Sequence, residues 1–199
     1  MSYHHGDARI ALLTAAEDWL EEVGANALSL RGVAERAGLS RQAPYNHFAD
    51  KQDMLAALVT DGFEKLTADI CAAVTRCIGD NALTAAGDAY IAFAQRGPAL
   101  FRLMFTRELV DVANYPHAKQ ASTEAFDTLA RIIRTLVPPE HHDDVALAAW
   151  SIIHGYATLC NEAGLEPSER RGERARLFAR LVLSGGYASQ SNENAQIMK

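Results

Sequence analysis

Between positions 41 and 47 the chain crowds Arg41, Gln42, Tyr45, Asn46 and His47, side chains whose donors and acceptors suit the edges and phosphates of a nucleic acid. They follow a tight break at Gly38-Leu39-Ser40, which a short helical pattern precedes. Ser29 is placed to cap that first helix, and Val33, Ala34 and Ala37 give it an apolar side. Gly38 can take the left-handed conformation that ends it cheaply. Leu39 plugs the corner, and Ser40 is placed to cap a second helix. Ala34 is small enough to let two helices cross closely, and Phe48 points towards a core. This is the layout of a helix-turn-helix, whose second helix enters a major groove. The stretch Ser29–Lys51 therefore reads as a DNA reader.

Other chemistries fit less well. A di-iron bundle needs Glu-x-x-His pairs, and none of the seven histidines has a glutamate three residues before it. The run Glu140-His141-His142-Asp143-Asp144 looks metal-like, but it follows Pro138-Pro139 at a helix start. Acidic residues there complement the helix dipole, and consecutive side chains do not readily converge on one ion. The pair His4-His5 has no further ligands nearby, so a backbone or phosphate contact is the simpler role. Nucleophilic catalysis lacks its signatures: there is no Gly-x-Ser-x-Gly elbow, Gly-rich phosphate loop or Cys-x-x-Cys pair. Cys71, Cys77 and Cys160 read as buried structural thiols, with a redox switch as the alternative, and suit a reducing compartment. No catalytic residue, cofactor or metal is expected.

The elements that must hold the reader are all helical. After a loose arm, Met1 to Gly6, Asp7 is placed to cap a helix running to about Val23 on the stripe Leu12, Leu13, Ala16, Trp19, Leu20 and Val23, which Gly24 ends. Asp50, with Asp53 in the first turn, starts a helix on the ladder Leu55, Val59, Phe63, Leu66, Ile70 and Val74 towards Ile78. That is about 27 residues, or roughly 40 Å, with no flexible linker to interrupt it. Gly79-Asp80-Asn81 breaks it. Helices are then expected from Ala82 to Gln95 and, with Pro98 at a favourable first position, from Ala99 to Leu109. A loop covers Val110 to Pro116, and a long helix runs from His117 to Leu136. Another runs from Val145 to Ala163, closed by Gly164, and a last one from about Ser168 to Tyr187, started by Glu166-Pro167-Ser168. The tail from Ser189 is polar and expected to be disordered.

The net charge of −6 argues against a protein that coats nucleic acid indiscriminately. Within Ser29–Lys51, however, four basic residues face two acidic ones, an excess of +2 that leaves −8 for the rest. An acidic body with a small basic contact surface fits a site-specific binder. With 49% apolar residues the chain can build a substantial core. No apolar run approaches the roughly 20 residues of a membrane span, and the N-terminus lacks a signal-peptide pattern, so a cytoplasmic protein is expected.

On these residues the chain resembles the TetR family of one-component bacterial regulators. The resemblance runs from Ala8 to about Leu58, through LSLRGVAERAGLSRQAPYNHF and DKQDMLAAL. The arm YHHGDAR, the run PALFRLMF at 98–105 and the motif Trp150-x-x-x-His154-Gly155 are similar to the subgroup with a Trp-His-Gly type C-terminal domain. One departure is Pro44, which stands where the family usually has an aliphatic residue. It removes one backbone donor in the first turn, so a locally distorted but intact recognition helix is expected.

The resemblance implies an all-α fold of about nine helices. Its helix-turn-helix domain takes residues 1–50, a long helix leads into a ligand-binding and dimerisation bundle over 51–188, and 189–199 are tail. It implies a ligand-responsive homodimeric repressor on a near-palindromic operator, with self, double-stranded DNA and a small-molecule effector as partners and no membrane. Arg41 and Gln42 would contact bases, guanine and adenine respectively. Tyr45, Asn46, His47, Lys51, Ser29 and Arg31 would complete the DNA surface, while Arg36 reads as a solvated residue. Phe63, Tyr90, Phe93, Phe101, Met104, Phe105, Phe126 and Trp150 would supply the pocket or plain core, with His154 a polar anchor beside Tyr156 and Arg102. The small stripe Ala148, Ser151, Gly155 and Thr158, with Leu177, Phe178, Leu181 and Val182, would form the dimer surface. The alternative is a helical small-molecule-binding protein or enzyme without a DNA-binding role.

Overall fold

The computed structural model describes residues 5–165 and 170–184. Its regular structure is helical: α1 His5–Ala27, α2 Leu30–Arg36, α3 Lys51–Val74, α4 Asp80–Arg96, α5 Pro98–Phe105, α6 Pro116–Arg134, α7 His142–Ala163 and α8 Arg171–Ser184. Short 3-10 turns lie at Ala43–Asn46, Val112–Asn114 and Pro139–His141. Among the described residues this makes eight α-helices, one fewer than expected, because the second helix of the reader is a 3-10 turn. The arm Met1–His4, the start at Glu166–Ser168 and the tail from Ser189 lie outside the described residues.

The chain forms two compact units. One holds the chain up to Lys65 together with Gly97–Thr123; the other holds Leu66–Arg96 and the chain from Glu124 on. This grouping differs from a boundary at 50/51, because the start of α3 and the whole of α5 join the reader. Both α3 and α6 contribute residues to each unit.

In the first unit, α1 buries Leu12, Leu13, Ala16 and Leu20, as its stripe predicts, while Val23 at the end of that stripe is 45% exposed. Gly24 leaves helical geometry at φ 74°, so the body of α1 stops where expected. The start of α3 is pinned by two aspartates. Asp50 accepts from the Asp53 amide at 2.8 Å, and Asp53 reaches back to the Ala49 amide at 2.9 Å. These bonds satisfy donors a helix start leaves open. The start of α5 is held by another helix. The Glu21 carboxylate of α1 accepts from the amides of Ala99 at 3.0 Å and Leu100 at 2.8 Å. Pro98 has no N–H to satisfy, so the side chain meets the first amides that do.

In the second unit, α4 packs on α7 and α8. Leu83, Leu129, Ile133, Val145, Ala146 and Ala149 form the middle of its core. Asn161 donates to the Ala94 carbonyl at 2.9 Å, and Arg171 donates to Asp88 at 2.9 Å, tying α7 and α8 to α4. Gly164, at φ 59°, ends α7 in the left-handed conformation its sequence position predicts.

Candidate nucleic-acid interface and interior cavity

The first half of the reader follows its sequence closely. Ser29 Oγ accepts from the Gly32 amide at 3.2 Å and caps α2. The other end closes with two crossed bonds, Leu39 N to Ala34 O at 2.9 Å and Gly38 N to Glu35 O at 3.1 Å, with Gly38 at φ 67°. This paired closure is the Schellman motif and fixes where the chain leaves the helix. Val33 and Ala34 are fully buried.

The second half departs from expectation. Residues 43–46 form a 3-10 turn, with no side-chain cap. Ser40 contributes its carbonyl, which accepts from Ala43 at 2.9 Å, rather than a capping hydroxyl. In an α-helix that carbonyl would receive the amide of residue 44, and Pro44 has none. The chain tightens to three-residue bonds, Tyr45 N to Gln42 O at 3.2 Å and His47 N to Pro44 O at 3.0 Å. The Pro44 carbonyl then also accepts from Phe48 at 2.8 Å, which restores helical spacing at the end. Pro44 itself is buried, so its ring fills the apolar position an aliphatic residue would occupy.

The turn still presents its polar side chains outward. Ser29, Arg31, Arg41, Gln42, Tyr45 and Asn46 are exposed, Tyr45 at 48%, whereas His47 is half-buried beside Phe48. Among the described residues neither Arg31 nor Arg41 has an ion-pair partner. Arg36 pairs with Glu22 of α1, in keeping with a structural role. The Lys51 ammonium donates to the Asn26 carbonyl at 2.8 Å, joining the start of α3 to the end of α1. Arg9 lies over the Phe48 ring at 5.8 Å, a contact no short motif signals.

The aromatic residues assigned to a pocket separate into two groups. Phe63, Phe101, Met104 and Phe105 belong to the first unit, where they pack on one another. Phe105 stands edge-on to Phe63 at 5.4 Å and tilted to Phe101 at 5.0 Å, and a Cβ on Gly62 would meet Met104 Sδ at 2.7 Å. That is core packing, the plainer of the two readings. The second unit contains a narrow apolar cavity, with about 30 Å³ open to a water-sized sphere. Tyr90 and Trp150 line it, 5.3 Å apart and edge-on, whereas Phe93 and Phe126 do not. Phe93 lies under Arg96, and Phe126 backs Trp150 at 5.6 Å.

Small residues on three helices, Ala86 and Gly87, Ala149, and Ala175 and Ala179, make the room. Aromatic spacing misses them; the run Ala85-Ala86-Gly87 was the available signal. Ile70, Leu83, Leu129 and Ile153 complete the apolar wall. Phe178 and Val182, assigned to the dimer surface, line this cavity too, and Phe178 stands edge-on to Tyr156 at 5.1 Å. The helical face of α8 turns them inward because α4 and α7 cover that side.

His154 is not among the lining residues, and its Nδ1 bonds the hydroxyl of Tyr90, which is, at 2.9 Å. Burial holds the imidazole below its ordinary pKa and pushes the Tyr90 phenol well above its own. Both groups are therefore neutral near pH 7. Arg102, a possible anchor from sequence, is exposed on α5. On the outer side of α7, Ala148 and Ser151 are exposed, and Gly155 and Thr158 are half-buried. Leu147 (59%), Leu159 (51%) and, on α8, Leu181 (53%) leave large apolar surface open beside them, and Leu177 is half-buried. Cys71 is exposed and Cys77 and Cys160 are half-buried, which corrects the expectation of buried thiols. Among the described residues no three His, Cys, Asp or Glu side chains converge to hold a metal ion.

Residues 12–58 match the profile of bacterial regulatory proteins of the tetR family, and residues 83–184 match that of the tetracyclin repressor-like C-terminal domain. The chain belongs to the TetR family. It is thus a transcriptional regulator that carries a DNA-binding domain and a C-terminal ligand-binding domain. A relative from Bacillus subtilis, the uncharacterized HTH-type transcriptional regulator YobS, is 23% identical over 96% of this chain and 99% of its own. The HTH-type transcriptional activator FasR of Mycolicibacterium smegmatis is 30% identical over 63% of this chain and 60% of its own. A solved structure of a protein of unknown function from Rhodococcus sp. RHA1 superposes with a TM-score of 0.78, at 33% identity over 90% of this chain and 97% of the other. No helix among the described residues is long and apolar enough to cross a membrane.

Proposed function

We propose that the protein is a cytoplasmic, homodimeric repressor that binds a near-palindromic operator and releases it when a small molecule enters the second-unit cavity. It acts without catalysis. The observation that carries the DNA contact is the exposed row Arg41, Gln42, Tyr45 and Asn46 on a turn whose entry is closed by paired backbone bonds. Arg41 and Gln42 read bases, and Ser29, Arg31, Tyr45, Asn46 and His47 hold the backbone.

One short reader buries too little surface for strong discrimination, so two copies act on half-sites about 34 Å apart. The outer stripe of α7 supports the pairing. A Cβ at Gly155 would meet nothing within 4 Å, so no packing within the protomer calls for glycine there, while a close-approaching second copy does. The motif Trp150-x-x-x-His154-Gly155 gains a physical sense: Trp150 and His154 turn to Tyr90, and Gly155 turns outward. This favours membership of the Trp-His-Gly subgroup. Helix α3 starts in the reader and supplies Ile70 to the cavity wall, so a ligand that favours one setting of α3 shifts the population of DNA-competent dimers.

Footprinting on DNA upstream of the protein's own gene tests the proposal, with a symmetric protected site expected. Arg41→Ala or Gln42→Ala should each weaken it about 5- to 150-fold, the equivalent of about 1–3 kcal/mol per bidentate contact. A folded protein that protects no symmetric site refutes the reading. The name of FasR favours activation as a second reading. A reporter gene behind the footprinted site separates the two, since deletion of a repressor raises transcription and deletion of an activator lowers it.

A further inference from the structure

We infer that the effector is an uncharged, slender, largely apolar molecule carrying one hydroxyl or carbonyl group, which meets the Tyr90 hydroxyl. The inference rests on the reading of the second-unit cavity as the effector site. Among the described residues, none of the side chains lining that cavity is Asp, Glu, Lys, Arg or His. A carboxylate or ammonium placed there would lose its hydration with no counter-charge to replace it. The ion pair closest in sequence to the cavity wall, Arg171 with Asp88, is already closed at 2.9 Å and flanks Gly87 and Gly172 without entering the lining.

Shape restricts the ligand as well. The room comes from missing side chains at Ala86, Gly87, Ala149, Ala175 and Ala179, and a Cβ on Gly87 would already touch Ala175 Cβ and Ile153 Cδ1 at 3.4 Å. The open space of about 30 Å³ is far below the roughly 300–1,000 Å³ of drug-sized sites. Entry therefore spreads α4, α7 and α8, and a thin chain spreads them least.

The polar end is defined by the Tyr90–His154 pair. A neutral imidazole presents at Nδ1 either a lone pair or an N–H, depending on its tautomer. In the first case Tyr90 donates to His154 and its oxygen faces a ligand hydroxyl as an acceptor. In the second it accepts from His154 and turns its O–H to a ligand carbonyl. Both are uncharged groups, and neither arrangement supplies the fixed positive charge that a carboxylate needs.

Three eight-carbon probes isolate the charge: 1-octanol, octanoate and octylammonium, titrated at pH 7. The chain has two tryptophans, so the Trp19→Phe variant leaves Trp150, on the cavity wall, as the only indole reporter. Calorimetry on the unaltered protein repeats the ranking without a substitution. Saturable octanol binding is expected, at least tenfold tighter than either ion. Tyr90→Phe should weaken octanol about three- to tenfold, the range of one neutral hydrogen bond, and Gly87→Leu should abolish binding by filling the space. Equal or tighter binding of octanoate or octylammonium overturns the inference, as does the absence of saturable octanol binding. Footprinting without any probe is scored separately. A protein that protects an operator but prefers octanoate refutes the ligand class alone, whereas one that protects no operator refutes the regulator reading.

Discussion

Gly32→Ala sets two physical effects against each other in α2, and their balance follows from the geometry. Alanine favours a helix interior over glycine by about 0.8–1.0 kcal/mol; Gly32 lies in the first turn, so about half of that applies. Against the gain stands the indole of Trp19. A Cβ on Gly32 would collide with the far edge of that ring, and would also lie 3.1 Å from Ser29 Oγ, which caps the helix. Overpacking of this kind costs about 1–3 kcal/mol. Trp19 is half-buried, so the ring relieves the clash by swinging towards solvent, which places the cost near the middle of that range. The net expectation is a loss of about 1.5 kcal/mol. Urea unfolding measures it, and fluorine NMR of fluorotryptophan-labelled protein should show the Trp19 resonance shifting while Trp150 stays put. In the double variant with Trp19→Ala the penalty should vanish, a coupling of about 1–3 kcal/mol. A Gly32→Ala protein at least as stable as the original, with its Trp19 signal unmoved, would refute the reasoning.

Glu21→Ala should destabilise the first unit by about 1 kcal/mol, the usual worth of a lost helix cap reduced for exposure; amide exchange should accelerate at Ala99 and Leu100, and unchanged protection of both would contradict the capping role. Gly155→Glu should fold normally, because its Cβ meets open space, yet sediment as a monomer and bind its operator weakly; a dimeric variant would move the interface elsewhere. His154 has a pKa lowered by burial, so the unfolded chain takes up its proton first as the pH falls. Its contribution is fully present above the ordinary histidine value of about 6.5 and is lost as the pH drops through the folded value. His154→Gln should flatten the loss of stability below pH 6.5, and an unaltered acid limb in urea titrations would argue against it.

How much of this was legible beforehand depended on whether a feature is local. Ser29, Gly38 and Asp50 announced their roles because a cap or a left-handed turn is decided within a few residues, and the structure places each where its type and position suggest. Pro44 was legible as an irregularity, but its extent was not. Losing one donor in so short an element converts the remaining bonds to the tighter pattern, because too few further turns exist to hold the α-helix. The small residues that open the cavity escaped notice for the opposite reason, although Tyr90 and Trp150, expected at a pocket, do line it. Aromatic residues stand out in a sequence, yet Phe63, Phe101 and Phe105 fill space with one another. The opening is made by alanines and a glycine that draw no attention individually.

The sequence by itself determined the helical class, the helix-turn-helix, most helix limits and the family, since periodicity, caps and breaks are written in neighbouring residues. Tertiary structure alone decided which polar side chains are spent on holding the fold. Glu21 reaches α5 from 78 and 79 residues away in the chain, Lys51 is committed to Asn26 25 residues before it, and His154 finds Tyr90 across 64 residues. Only tertiary structure, likewise, turned Phe178 inward and left Gly155 facing out. Helical spacing shows which residues share a face, but which face is covered depends on the helices that pack against it.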